Sequence, residues 1–315
     1  MGSETVFVVG AGTMGNGLAV LFAKAGHKVW LYSRSQSTRD SAKPRAKAIL
    51  EQLAADKVIR KSEIDAALDR IEVCADLDAA KQATFIVENI KEDIDLKRQY
   101  FAELDKLAPP ETIIATNTTS FTLASLKSAL ERRDRFLTTH FYNPPTLIPL
   151  VEISRSDETA QWAVDRTAAL MEQVGKVPVF CKDATGYIAV RLQYALVFEA
   201  ISMFEKGLAS AEDIDKAVRN SIGLRFAMLG PLEIADRGGL DIWLKGGETL
   251  YSVYGDSKFK PPQILVDMCE RGELGVKTGR GFHGDEQKML AAHRDRQLLE
   301  VIQHLGLLPR IEDEE

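Results

Sequence analysis

The glycine spacing behind the first apolar run constrains the fold of this 315-residue chain more than any other feature. The run Val6 to Val9 is typical of a buried strand, and Gly10, Gly12 and Gly15 follow it as G-x-G-x-x-G. Apolar residues then recur at helical spacing up to a second apolar run, Lys28 to Tyr32. A strand, a glycine-rich turn, a helix and a second strand within about 30 residues are typical of a dinucleotide-binding unit.

Each glycine of this turn has its own predicted role. Gly10 permits the tight turn, Gly12 lets the backbone approach a pyrophosphate without a Cβ in the way, and Gly15 lets the helix lie close to the strand. The helix N-terminus then offers free N–H groups and the positive end of its dipole to the phosphates.

The residues that follow the second strand indicate which dinucleotide is bound. An acidic residue there would accept hydrogen bonds from a free ribose 2′-hydroxyl. This chain has Ser33 and Arg34 instead, and a hydroxyl and a guanidinium suit a 2′-phosphate. The pattern favours NADP(H) over NAD(H); the alternative is that Arg34 is a solvated surface charge and NAD(H) is used.

Composition excludes several classes of partner. The net charge of −6 and the absence of a long basic run argue against nucleic acid. Cys74, Cys181 and Cys269 are scattered without C-x-x-C or metal-ligand spacing, which suits a reducing compartment and predicts no metal site. No apolar stretch reaches the ~18 residues of a membrane helix, and the first apolar run is a strand rather than a signal peptide. We therefore expect a cytoplasmic protein with a small-molecule substrate.

Apolar runs and helical patterns alternate up to about residue 185, which is typical of a parallel, doubly wound sheet, and helical patterning dominates afterwards. We predict an α/β protein with an N-terminal Rossmann domain over residues 1–185 and an all-helical domain over 186–315. In the first, a charged helical hairpin at 40–68 should turn near Val58, with Ser62 as an N-cap. In the second, Ser210 should be an N-cap and one helix should span Leu232 to Tyr254.

Two strand ends carry residues suited to catalysis. His140 ends a predicted buried strand, and Glu152 lies twelve residues on, in an apolar segment where a carboxylate is costly to bury unpaired. Paired, Glu152 would orient the ring of a general acid/base; a structural histidine and an exposed glutamate are an equally good interpretation of the spacing. Ser120 could orient a substrate oxygen, although its sequence context favours a turn or N-cap. Without a G-x-S-x-G elbow, a Ser-His-Glu hydrolase is discarded.

Together these residues resemble the 3-hydroxyacyl-CoA dehydrogenase family over nearly the whole chain. The matching stretches in the first part are Gly10–Gly15, Val87–Glu92, Asp95–Lys97, Asn117–Ser120, His140–Pro144 and Leu150–Glu152, and in the second part Gly186–Arg191, Gly230–Pro231 and Gly275–Phe282.

The resemblance implies a Rossmann domain, a helical dimerisation domain that forms a homodimer, and hydride transfer between nicotinamide and a 3-hydroxy or 3-keto position. It supports His140 and Glu152 as the catalytic pair, with Ser120 as a further catalytic residue. It also implies a set of residues that line the cofactor and substrate cleft: Thr13, Met14, Glu92, Lys97, Asn117, Ser120 and Asn143.

Within that family the chain looks most similar to the gulonate dehydrogenase and lambda-crystallin branch, whose members handle small hydroxy acids. The segments that carry this are Asn143–Pro145, Ile148–Ile153, Arg191–Tyr194 and Gly223–Phe226.

Three departures from the family pattern bear on function. Ser33 stands where the family has an acidic residue. Ile49 and Asp56, near the positions that contact CoA in the acyl-CoA branch, offer neither a hydroxyl nor a cation. Val190 stands where the family has an asparagine of the catalytic cleft, so substrate binding is rearranged or the substrate differs in kind.

Three hypotheses follow. The first is an NAD(P)-dependent dehydrogenase or reductase of a small 3-hydroxy or 3-keto acid or a related carbonyl. The second, motivated by Val190 and the Ser33-Arg34 pair, is an NADPH-dependent imine reductase or reductive aminase. The third is a crystallin-like structural protein without physiological turnover, against which the intact Ser120, His140 and Glu152 argue.

Overall fold

The computed structural model of the protein describes residues 2–284 and 286–308. The chain divides into two compact units, Met1–Leu196 and Val197–Glu315. The first contains one eight-stranded sheet with helices, and the described part of the second is built from helices. This confirms the predicted fold class. Of the expected helical domain 186–315, residues 285 and 309–315 lie outside the described residues.

The strands of the first unit are β1 Thr5–Val9, β2 Lys28–Tyr32, β3 Ile71–Cys74, β4 Phe85–Glu88, β5 Ile113–Thr116, β6 Phe136–Phe141, β7 Leu150–Arg155 and β8 Val177–Lys182. They lie in the order β3-β2-β1-β4-β5-β6-β7-β8, and β1 to β6 are parallel. The strand order reverses between β1 and β4. In sheets of this kind, ligands bind outside the carboxyl ends of the strands at such a reversal.

The helices of this unit are α1 Thr13–Lys24, α2 Gln36–Ala55, α3 Ile64–Asp69, α4 Ile94–Leu107, α5 Leu123–Leu126 and α6 Gln161–Gln173, and α7 Ala189–Glu205 contains the boundary between the units. The apolar run of β1 supplies both faces of the sheet. Val6 and Val8 belong to one buried cluster, and Phe7 and Val9 belong to the other. A strand covered on both faces reads as a continuous apolar run rather than an alternating one.

Three predicted details are wrong. β7 is antiparallel to β6, because the connection 142–149 is too short for a crossover back to the same end of the sheet. Ser62 lies inside a short 3₁₀ helix, Lys61–Glu63, rather than capping α3. The expected helix Leu232–Tyr254 is two helices, because Gly239 between them has φ of 91°, outside the right-handed helical region.

The helices of the second unit are α8 Ala211–Arg219, α9 Ile222–Met228, α10 Pro231–Gly238, α11 Leu240–Tyr254, α12 Gln263–Glu270 and α13 Glu286–His304. The hydroxyl of Ser210 accepts the Asp213 N–H at 3.1 Å, which confirms Ser210 as an N-cap.

The family motif Gly275–Phe282 packs against the end of α10 through Asp236. The Asp236 carboxylate accepts the Phe282 and His283 N–H groups, both at 2.9 Å. A Cβ on Gly275 would lie 2.2 Å from the Asp236 carbonyl oxygen, and one on Gly281 would lie 2.1 Å from Asp236 Oδ1. Larger residues would collide at both positions, so this motif has a structural role in the second unit.

Candidate active site

The glycine turn after β1 has the geometry of a phosphate-binding loop. Gly10 has φ of 114°, and a Cβ on it would lie 2.7 Å from the Asn89 carbonyl oxygen. A Cβ on Gly15 would lie 1.7 Å from the Gly10 carbonyl oxygen, so α1 approaches β1 closely only with glycine there. Gly12 has open space where its Cβ would stand. Gly10 and Gly15 therefore build the turn, and Gly12 leaves its outer surface clear.

The start of α1 suits an anion. Its first turn contains no acidic residue, and its N-cap, Gly12, has no side chain to cap the first N–H groups of the helix. Thr13 is exposed and Met14 partly exposed at this end. The side-chain amide of Asn16, buried beneath, donates to the Ala11 carbonyl at 2.7 Å and holds the turn in shape. The residues present fit a dinucleotide pyrophosphate on the N–H groups of α1.

The end of β2 carries two arginines. Ser33 is buried and Arg34 is exposed, as a residue that contacts a ribose phosphate from solvent needs to be. Arg39, which the sequence interpretation missed, donates from Nη1 to the Ser33 carbonyl at 2.7 Å. Arg39 lies in the first turns of α2, six residues after Ser33. No sequence pattern near β2 indicated that its side chain would reach the Ser33 carbonyl.

A pair of asparagines joins the ends of three parallel strands. Asn117 Nδ2 donates to Asn89 Oδ1 at 2.8 Å, and the Phe141 N–H donates to Asn117 Oδ1 at 2.8 Å. Asn117 follows β5, Asn89 follows β4 and Phe141 ends β6. The amide of Asn117 thus holds the backbone next to His140. Asn89 was missed, although its position directly after a buried strand was the available signal.

Lys97 is buried rather than exposed at the carboxyl end of the parallel strands. Only 1% of it is accessible, and its Nζ lies 2.7 Å from Glu88 Oε1 and 3.8 Å from Glu92 Oε2. Burial raises the pKa of Glu88, and the Lys97 ammonium opposes that shift. Glu92 accepts the Thr118 hydroxyl at 2.9 Å. Lys97 therefore pairs mainly with Glu88 and lies more loosely against Glu92, whose carboxylate holds the loop that leads to Ser120.

His140 and Glu152 form a buried pair. They lie directly opposite each other on the antiparallel strands β6 and β7, and His140 Nδ1 is 2.8 Å from Glu152 Oε2. The other carboxylate oxygen, Oε1, accepts the N–H groups of Ile188 and Ala189 at the start of α7, both at 2.9 Å. The structure thus brings together the two residues that were predicted as the catalytic pair.

The surroundings of Glu152 keep it ionised. Burial alone would raise its pKa, but hydrogen bonds from His140, from two backbone N–H groups and from Tyr142 outweigh burial and hold the pKa below its usual range. The stability that this carboxylate contributes is present above its ordinary pKa and is lost as pH falls through the lowered value. An ionised Glu152 requires the proton of neutral His140 on Nδ1. Nε2 is then the nitrogen that can accept a proton.

Two tyrosines that the sequence interpretation missed hold the His140 ring. Tyr142 meets it edge-on, with ring centroids 4.7 Å apart, and Tyr187 lies at 5.1 Å in a tilted stack. The Tyr142 hydroxyl donates to Glu152 Oε2 at 3.0 Å, and the Tyr187 hydroxyl donates to the Thr118 carbonyl at 3.0 Å. The available signal was that a buried carboxylate needs more donors than one histidine supplies.

Three further predicted residues lie at or near the protein surface. Ser120 and Asn143 are exposed and Val190 is partly exposed. Ser120 is not the N-cap of the next helix. Thr122 caps α5 instead, by accepting the Ser125 N–H at 3.3 Å. Val190 follows the Ile188 and Ala189 N–H groups that hold Glu152.

Taken together, the sheet with its open glycine turn and the nearby histidine–carboxylate pair define a dinucleotide-binding protein with acid–base machinery at the same edge of the sheet.

Comparison with known proteins gives the family. Residues 5–184 match the NAD binding domain of 3-hydroxyacyl-CoA dehydrogenase, and residues 186–284 match its C-terminal domain. A probable 3-hydroxybutyryl-CoA dehydrogenase of Bacillus subtilis is 34% identical over 285 residues, covering 90% of this chain and 98% of the relative. The chain belongs to the 3-hydroxyacyl-CoA dehydrogenase family, and it is a dehydrogenase that uses a nicotinamide dinucleotide.

Solved structures agree. A 3-hydroxyacyl-CoA dehydrogenase from Archaeoglobus fulgidus is 30% identical with a TM-score of 0.79, covering 97% of this chain and 100% of that one. A diketoreductase described as acting on dicarbonyl compounds is 29% identical with a TM-score of 0.67, covering 90% of this chain and 100% of that one. Across the part of the chain that the structure describes, no helix has the length and apolar character to span a membrane.

Proposed function

We propose that the protein is a cytoplasmic NADP(H)-linked dehydrogenase or reductase of a small 3-hydroxy acid, the corresponding 3-keto acid or a related carbonyl compound. The observation that carries the proposal is the buried His140–Glu152 pair, whose carboxylate is fixed by two N–H groups of α7. His140 is the general acid/base, Glu152 orients its ring, and Ser120 contacts the substrate oxygen.

The chemistry of the pair follows from its geometry. When bound, the nicotinamide dinucleotide accepts a hydride from the hydroxyl carbon or supplies one to the carbonyl carbon. In oxidation, His140 Nε2 takes the hydroxyl proton. In reduction, the imidazolium gives that proton to the oxygen on which negative charge develops. Glu152 lies on the opposite nitrogen, where its charge stabilises the imidazolium in both directions.

The preference for NADP(H) is supported by the end of β2. Arg34 is exposed next to a buried serine in place of a carboxylate, and Arg39 holds the backbone of that serine. Arginine can bind a phosphate with two parallel hydrogen bonds, whereas a free 2′-hydroxyl gives it no such partner.

The proposed substrate class rests on the resemblance to the gulonate dehydrogenase branch and on the surface of α2. Ile49 packs against the core and Asp56 ends the helix with a negative charge, so neither serves a nucleotide phosphate. The relatives named for CoA substrates make a CoA thioester the competing proposal. The diketoreductase shows that dicarbonyl compounds are handled on this scaffold. Membership of a dehydrogenase family gives no support to imine reduction or to a purely structural role.

Steady-state kinetics with two substrates and two cofactors test the proposal. A short-chain 3-keto acid and its CoA thioester are each reduced with NADPH and with NADH. We expect the largest kcat/KM for the free acid with NADPH. A larger kcat/KM for the thioester would overturn the substrate class, and a larger value with NADH would overturn the cofactor preference while leaving the dehydrogenase chemistry intact.

A further inference from the structure

The Glu152 carboxylate accepts hydrogen bonds from three donors besides His140. Oε1 accepts the Ile188 and Ala189 N–H groups. Oε2 accepts two side-chain donors, His140 Nδ1–H at 2.8 Å and the Tyr142 hydroxyl at 3.0 Å. One carboxylate oxygen is therefore shared between the imidazole and a phenol.

We propose that Tyr142 is a positioning residue that weakens the hold of Glu152 on the charged His140 ring, and so sets the pH at which the acid–base pair exchanges its proton. The inference rests on the proposed acid–base role of His140. An oxygen that already accepts a phenol hydrogen bond has less negative charge to offer a second donor. The charged imidazolium of His140 is stabilised more by Glu152 Oε2 than neutral imidazole is. A phenol that weakens this oxygen as an acceptor therefore disfavours the protonated ring.

Tyr142 stays a donor over the working pH range. Burial, followed by the nearby Glu152 charge, raises the pKa of its phenol. Its ring also meets His140 edge-on, with centroids 4.7 Å apart. Replacement by phenylalanine keeps this ring contact and removes only the hydroxyl, so Tyr142→Phe separates the hydrogen bond from the packing.

Two other titratable groups near the pair, Tyr187 and Cys181, keep their protons near neutral pH. Tyr187, which stacks on His140, has its pKa raised by burial. Burial also raises the pKa of Cys181, on the strand next to Glu152, to about 11. Asp183 beyond that strand accepts two N–H groups at the start of α5. A change in the pH profile of Tyr142→Phe therefore reports on the His140–Glu152 pair.

The test is the pH dependence of kcat/KM for ketone reduction and for alcohol oxidation. In Tyr142→Phe we expect the midpoint of both pH profiles to move upward by about half a unit to one unit, which is less than the full effect of a hydrogen bond to a charged group because Tyr142 acts on His140 only through Glu152. Above the wild-type midpoint, reduction should be about threefold to tenfold faster than in the wild type. Tyr100→Phe is the matched control, because it removes a hydroxyl that pairs with Tyr32 at 3.0 Å and does not touch Glu152.

Two further variants make the outcome decisive. Replacing Tyr142 with 3-fluorotyrosine, a stronger donor, should move the midpoint downward, and it tests the same point if Tyr142→Phe does not fold. An unmoved midpoint in either variant, or a shift in the opposite direction, would overturn the role of Tyr142. His140→Ala separates this result from the proposed function: if that variant keeps full ketone turnover, the acid–base role itself fails.

Discussion

At the scale of single residues, the proposed catalysis depends on one histidine, His140, in a fixed tautomer. Replacing His140 by alanine removes the group that gives or takes the proton, and we expect kcat to fall about 10²–10⁴-fold with cofactor affinity nearly unchanged. The control is His304→Ala, since His304 is exposed at the end of α13. Steady-state kinetics and cofactor titration measure both quantities, and ketone turnover that survives in His140→Ala would remove the central assignment.

Glu152 affects the same step indirectly. Glu152→Gln keeps a side chain of the same size with one acceptor oxygen, which can meet the His140 Nδ1–H or the Ile188 and Ala189 N–H groups but not both, and it loses the charge that stabilises the imidazolium. Glu152→Ala loses both and leaves a cavity with unpaired donors. We expect Glu152→Gln to lower kcat less than Glu152→Ala does. Equal losses in kcat would mean that the charge alone matters and that ring orientation does not.

We also propose that a single side chain, Arg34, decides the choice of cofactor. We expect Arg34→Ala to weaken NADP(H) binding by ~1.5–3 kcal/mol, the range for hydrogen bonds to charged groups, and to leave NAD(H) binding nearly unchanged. Lys43→Ala, a change of one exposed charge on α2, is the control for general electrostatics. Fluorescence titration with both cofactors measures the difference. If both cofactors lose the same affinity, Arg34 does not read the 2′-phosphate.

At the scale of elements, the connection between β6 and β7 is held from two sides. The buried ammonium of Lys176 donates to the Ile148 carbonyl at 2.5 Å and to the Pro145 carbonyl. A Cβ on Gly17 of α1 would lie 2.5 Å from Pro145 Cγ, so the phosphate-binding helix abuts the same connection. This contact couples the cofactor helix to the segment that joins His140 to Glu152.

We therefore expect Lys176→Met to destabilise the protein by about 1–3 kcal/mol, because it leaves the Pro145 carbonyl and the partly buried Ile148 carbonyl without this donor. kcat/KM should fall as well, since the connection between the catalytic strands loosens. Lys182→Met, which changes an exposed lysine at the end of β8, is the control. Urea unfolding that gives equal stability for Lys176→Met and the wild type would contradict this account of the connection.

At the scale of the whole molecule, α7 has exposed apolar side chains. Val197 is 44% exposed, and Ile201 and Phe204 are each 57% exposed. Soluble monomers rarely expose contiguous apolar surface of this kind, and a two-fold homodimer is its commonest partner. We propose, as the family resemblance implies, that residues 186–315 are the dimerisation domain.

Light scattering at micromolar concentration should give the mass of two chains. The double change Ile201→Glu and Phe204→Glu should shift the protein to a monomer or destabilise it, because charges would be buried without partners. Val58→Glu, at an exposed apolar residue of the α2–α3 turn, should leave the mass unchanged. A wild-type mass of one chain would contradict the prediction of a dimer.

The sequence by itself determined the elements whose cause is local. The glycine spacing of residues 10–15 forces one backbone conformation, and the apolar run of β1 requires cover on both faces of a sheet. A buried carboxylate at Glu152 demands donors whatever the fold, and a strand-end histidine at His140 is a natural one. These signals lie within a few residues, so periodicity and residue chemistry are enough to recognise them.

Tertiary structure decided what depends on residues distant in the chain. The N–H groups that hold Glu152 come from Ile188 and Ala189, 36 and 37 residues later. No local pattern connects them, just as none predicts that Lys97 is buried beside Glu88 or that Tyr142 shares an oxygen with His140. Such contacts follow from strand order, strand direction and the entry of a helix. Burial, which sets the charge of each of these groups, is a property of the packed molecule.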